Sequence, residues 1–237
     1  MTGPRALRSL PFALPFVALM SGCGSAAPPS VQSPVQTRMF SHFALAVDLR
    51  AFAVNGDLDR LRVTARELSV AEETWGLPPG SQPYVDTVHA AARRAAEASD
   101  LEAAARAVAD VAMACGECHL ANQTTLGQRF QVAAPLLTDP ATRHTNYLSW
   151  VSRLLWDGVL GPSEAMWRTG AGALAGGDGM PAPRASHVPP SEVARAADIL
   201  EELGVEAVVA TDARARARIL ADVWMECAGC HTQAGVR

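Results

Sequence analysis

Ser99-Asp100-Leu101-Glu102 opens, and Asp110-Val111-Ala112-Met113-Ala114-Cys115-Gly116-Glu117-Cys118-His119 closes, the stretch whose reading decides the fold. The opening has the form of a helix-capping box, and an alanine-rich run follows it. Its apolar positions Leu101, Ala104, Val108, Val111, Cys115 and Cys118 advance by alternating steps of three and four, the seam of an antiparallel helical bundle. A near copy returns 112 residues later, with Thr211-Asp212 against Ser99-Asp100 and Asp222-Val223-Trp224-Met225-Glu226-Cys227 against Asp110 to Cys115. An internal repeat at one fixed offset predicts two tandem copies of a single four-helix unit. The expected fold class is all-α.

Each copy ends its last helix on the same pattern, Cys115-Gly116-Glu117-Cys118-His119 and Cys227-Ala228-Gly229-Cys230-His231. C-x-x-C-H is the attachment pattern of a c-type haem: two thiols bond the porphyrin edge and the next histidine supplies an imidazole to iron. Helix positions i, i+3 and i+4 share a face, so the three groups can meet one flat cofactor. The paired cysteines have other readings, namely a four-cysteine zinc site, two disulfides or a thioredoxin-like redox pair. A histidine directly after the second cysteine, twice, favours haem, and the alternating strand and helix pattern of a thioredoxin is missing. Two covalently attached haem c groups are expected, with His119 and His231 as iron ligands.

The 237 residues are 49% hydrophobic and only 5% aromatic, a composition that suits close-packed helices better than a sheet. Residues 1–22 read as a signal peptide: Arg5 and Arg8 precede an apolar run, Leu10 to Met20, too short to span a bilayer comfortably. Met20-Ser21-Gly22-Cys23 then resembles a bacterial lipoprotein cleavage site, which implies lipidation of Cys23. Four of the five cysteines belong to the haem patterns, and Cys23 is the one left over. Without Arg5 and Arg8, 18 basic residues face 24 acidic ones, a net charge of −6. That balance argues against nucleic acid as a partner. The expected place is the periplasmic side of a bacterial membrane, outer rather than inner, held by a lipid on Cys23.

Residues 23–36 read as a flexible tether, 37–122 as the first haem-binding bundle, 123–140 as a linker and 141–237 as the second bundle. Helices are expected over Arg38–Val54, Asp57–Trp75, Val85–Ala98 and from Ser99 through the first motif. In the second copy they are expected over Arg143–Trp156, after the cap Gly161-Pro162-Ser163, over Ser191–Val209 and over Asp212–Cys230, with a long loop from Gly170 to Pro190.

The position of the motif in each copy resembles class II cytochromes c, the cytochrome c′ type of four-helix bundle, over roughly residues 37 to 235. The likeness implies a bundle in which the C-terminal end of helix four lies beside the N-terminal end of helix one. Only six residues follow His231, so its distal wall is expected from upstream. His42, with Met39 as its alternative, and His144 are then the candidate distal iron ligands. His42 shares a helical face with Leu45, Leu49 and Phe52, and His144 with Tyr147, Val151 and Leu154. A helix N-terminus disfavours a charged imidazolium, which suits a neutral, metal-binding histidine. Met180-Pro181 is a further ligand candidate if the first motif began a different fold. Met113 and Met225 read as packing, His89 and His187 as surface residues, and Arg214, Arg216 and Arg218 as a solvated face.

Electron transfer is the expected function, between redox protein partners of the cell envelope and without enzymatic turnover. The runner-up is gas binding or redox sensing at an open haem, which the cytochrome c′ likeness permits. A dihaem peroxidase is the third reading, for which the chain is short and its motifs come late in each copy. No oligomeric state is legible.

Overall fold

The computed structural model describes residues 34–70, 76–124, 134–135, 138–139, 142–176 and 188–235, all within one compact unit. Among them every regular element is an α-helix. In order these are α1 (Pro34–Asn55), α2 (Leu58–Ser69), α3 (Gln82–Glu97), α4 (Leu101–Ala121), α5 (Arg143–Leu160), α6 (Glu164–Ala175), α7 (Pro190–Val209) and α8 (Ala213–Ala234). None is long and apolar enough to cross a membrane. Cys23, Met180-Pro181 and His187 lie outside the described residues.

Side-chain caps set half of the helix starts. Asp57, Asp100, Ser163 and Asp212 each accept a hydrogen bond from the backbone N–H three residues on, which satisfies a donor the helix itself leaves open. Asp100 and Asp212 do so at the same length, 2.8 Å from Ala103 and Ala215. The cap thus falls one residue later than the capping box predicts: Ser99 donates its hydroxyl to Asp100 instead of capping. α1 starts at Pro34, inside the stretch read as tether, and α5 continues four residues past Trp156.

Gly170 to Ala175, read as loop, belong to α6. Gly170 is buried, and a Cβ there would stand 3.1 Å from side-chain atoms of Leu154 and Leu155. The glycine therefore marks close approach of α6 to α5, where a rule based on helix propensity sees a breaker.

α4 and α8 pack on each other, and α1 and α5 each pack on both. This explains why the single seam read on α4 is too narrow. Ala104, Ala105, Ala107, Val108, Ala109, Val111, Ala112 and Ala114 are all buried, because neighbours surround the helix. Alanine is the side chain that lets several helices approach it at once. Arg94 of α3 bonds Asp110 at 2.7 Å, and Arg106 of α4 reaches Asp222 of α8 at 3.6 Å.

The second half fills its core with tryptophan. Trp156, Trp167 and Trp224 are fully buried. The Trp167 indole N–H donates to the Ala207 carbonyl at 2.9 Å, and the Arg216 guanidinium lies 5.2 Å over its ring. Arg216 also bonds Glu164 and the Ala210 carbonyl, so it ties α8 to α6 and to the end of α7 instead of standing in solvent. Trp167→Phe removes the indole bond to the Ala207 carbonyl, which keeps its bond from the Ala210 N–H, and leaves a cavity where the second ring stood, so it should cost about 1–3 kcal/mol. A lowered denaturation midpoint at unchanged slope checks this.

His89 is not the free surface residue expected of it. Its Nε2 is buried without a hydrogen-bond partner among the described residues, and burial lowers its pKa, helped by Arg93 and opposed by Asp86.

Candidate functional site

The two C-x-x-C-H segments form the last turns of α4 and α8. At the first, Asn122 follows the helix and folds back: its amide donates to the Cys118 carbonyl at 2.9 Å and to the Ser81 hydroxyl at 3.3 Å. That contact places the start of α3 beside the motif. Gly76, just upstream, stands near Val35 of α1. At the opposite end, Arg62 of α2 donates to the carbonyls of Ala98 and Ser99, just before α4. Helix α1 therefore runs antiparallel to α4, with Met39 and His42 toward the motif end. His42 lies on one helical line with buried Ala46, Leu49 and Ala53.

The His119 imidazole makes a contact the sequence does not announce. Its Nδ1 lies 2.8 Å from the carbonyl oxygen of Leu160, in the last turn of α5. As donor to a carbonyl, Nδ1 carries the proton, and Nε2 is left with its lone pair free for a metal. Burial lowers the His119 pKa, while the Leu160 carbonyl works in the opposite direction. The ring is thus kept neutral, the state that can ligate.

The second motif shows a looser form of this relation. Near the end of α1, the Val54 carbonyl faces His231 and opposes the lowering of its pKa, which burial dominates and His144 assists. The contact falls short of full hydrogen-bond geometry, and Nδ1 of His231 has no bonded partner among the described residues. Gly56, two residues on, stands against Ala228 and Thr232 of α8. The influence of His144 puts the first turn of α5 within electrostatic reach of His231.

These contacts give α5 a particular role, since its last turn holds His119 while its first turn lies within electrostatic reach of His231. Leu160 lies sixteen helical positions after His144, so the two stand about 24 Å apart along the axis. α1 spans the same two ends in the opposite sense. Each motif is consequently walled by one helix of its own half and by one helix of the other.

Close approach at the first motif depends on Gly116. A Cβ there would lie 2.2 Å from the Val159 carbonyl oxygen. The equivalent residue of the second motif is Ala228, which is buried and 3.6 Å from a Cβ built on Gly56. The first motif is therefore the more tightly seated of the two.

The four cysteines of the motifs form no disulfide. Burial pushes the Cys115 and Cys227 thiols up to about 12, and it also raises Cys230. A thiol so held is protonated, unlike the low-pKa thiolate of a thioredoxin-type pair. Among the described residues no three His, Cys, Asp or Glu side chains gather as a metal-holding group, so the two pairs do not combine into a four-cysteine zinc cage. What the donor set does match is thioether attachment at each motif, with a neutral histidine one position on. Phe40 and Leu120, 55% and 62% exposed at the end that holds His119, offer apolar surface for a cofactor to cover.

No family model matches the chain, and neither a curated protein nor a solved structure does.

Proposed function

We propose that the chain is a dihaem c-type cytochrome of the cell envelope, two tandem four-helix units that pass single electrons between redox protein partners. One observation carries this reading: His119, directly after Cys118, has Nδ1 fixed on the Leu160 carbonyl and Nε2 left for a metal. Cys115 and Cys118 would hold one haem and Cys227 and Cys230 the other, with His119 and His231 as proximal ligands. Iron so held takes up and gives back one electron. His144, near enough to His231 to influence its charge, is the distal candidate of the second site. His42, or Met39, is that of the first. A lipid on Cys23 would keep the protein at the periplasmic face of the membrane.

The protein's own contribution is burial, orientation and exclusion of water. The Leu160 carbonyl fixes one imidazole plane and the Val54 carbonyl faces the other, and a carbonyl acceptor raises the basicity of the nitrogen that binds metal. Burial keeps both imidazoles neutral.

The test is the optical and EPR spectrum of the ferric and ferrous protein, with carbon monoxide added to the ferrous form. Two low-spin haems that ignore the gas are the expected outcome. A high-spin component that binds it would exclude a distal ligand at one site and favour gas binding instead. A chain whose denatured form carries no haem would end the reading altogether.

A further inference from the structure

Between the two motifs the core holds an aromatic pair. Trp156 of α5 and Trp224 of α8 have ring centroids 5.6 Å apart at 46°, and both are fully buried. Trp224 lies one turn before Cys227, on the helix that carries the second motif. Its indole N–H donates to the Ser152 hydroxyl at 3.3 Å, which places it half-way along α5 from His144. Trp156 lies one turn farther toward the other end, and one turn before Leu160, the residue whose carbonyl holds His119.

The Trp156 indole N–H is buried and has no hydrogen-bond partner among the described residues. An orphaned buried donor of this kind destabilises the fold. Phenylalanine or leucine would fill the position without that cost, so packing alone does not account for an indole there.

We infer that Trp156 and Trp224 form the electronic bridge between the two haem sites, an inference that rests on the function proposed above. The indole π-systems stand in the gap that α5 spans, and replace σ-bonded or empty path with polarisable electrons. With haem held at both motifs, one electron would pass through them from the ferrous site to the ferric one; the first iron would be oxidised and the second reduced, no proton would move, and both indoles would end as they began.

The experiment is sub-stoichiometric flash reduction of the intact dihaem protein, followed by optical measurement of how the electron redistributes between the haems. Trp156→Leu should slow that redistribution by an order of magnitude, with two haems bound and both midpoint potentials unchanged. Trp156→Phe, which breaks no hydrogen bond and so tests the site without endangering the fold, should fall between. An unchanged rate in both variants overturns the bridge, as does a slower rate explained wholly by shifted potentials. Absence of covalent haem from the unaltered chain instead overturns the underlying function, and the pyridine haemochrome of the denatured protein separates the two failures.

Discussion

On the proposed function, chains in which Cys115 and Cys118 are both replaced by alanine should carry one haem where the unaltered protein should carry two, measured as pyridine haemochrome per mole of denatured polypeptide. Covalent attachment survives unfolding, so the assay counts thioether-held cofactor and nothing else. The cysteines are free, and burial at the end of α4 holds Cys115 protonated. The matching Cys227→Ala, Cys230→Ala chain should retain the haem at the other end. A chain that keeps both haems after either double replacement would disprove thioether attachment at that motif. One that loses both would show that the two sites do not load independently.

A second large effect is expected from glycine, and it should be destabilising in only one of the two motifs. Gly116→Ala drives a methyl into the Val159 carbonyl, 2.2 Å from where the Cβ must go. Backbone cannot swing aside as a side chain can, so overpacking should cost about 1–3 kcal/mol. The strain acts on the last turn of α5, whose Leu160 carbonyl holds His119, so the spectrum of the first haem should change with it. Gly229→Ala, in the other motif, meets nothing within 4 Å. There alanine should be neutral or should stabilise by up to about 1 kcal/mol through helix propensity. Denaturant unfolding of the two variants checks the contrast, and equal destabilisation would refute the account of Gly116 as a contact point.

Much of the helical frame is legible because it is encoded locally. Asp57, Ser163 and Asp212 cap where polar residues precede apolar periodic runs, and the expected starts of α6 and α8 follow from them. What local pattern cannot reveal is which faces become interior through contact between halves. The three-and-four seam on α4 predicts one buried stripe, yet Ala105, Ala109 and Ala112 are buried as well, since α8 and α5 cover faces a lone bundle would leave wet. Gly170 misleads for the same reason: a small residue that permits helix contact looks like a small residue that ends a helix.

At the site, Cys115, Cys118, His119 and their counterparts stand out by spacing alone. The Leu160 and Val54 carbonyls do not, because every residue has a carbonyl and only tertiary structure selects one. His42 and His144 follow from bundle topology. The antiparallel run of α1 along α4 sets His42 toward the His119 end, and His144 lies within electrostatic reach of His231; iron ligation by either belongs to the proposed function. The tryptophan pair carries no signal of spacing, since Trp156 and Trp224 belong to different helices. Nor does the repeat point to it, because the position 112 residues before Trp224 is Ala112.

The exchange of carbonyls between halves also makes the two ends unequal in time. A chain that emerges from its N-terminus delivers Val54 long before His231 appears, so the second motif meets a finished wall. His119 is made 41 residues ahead of Leu160, and until α5 arrives its ring has no carbonyl to set its tautomer. Early in biogenesis the first motif therefore lacks one of its walls, whereas the second emerges beside a helix already made.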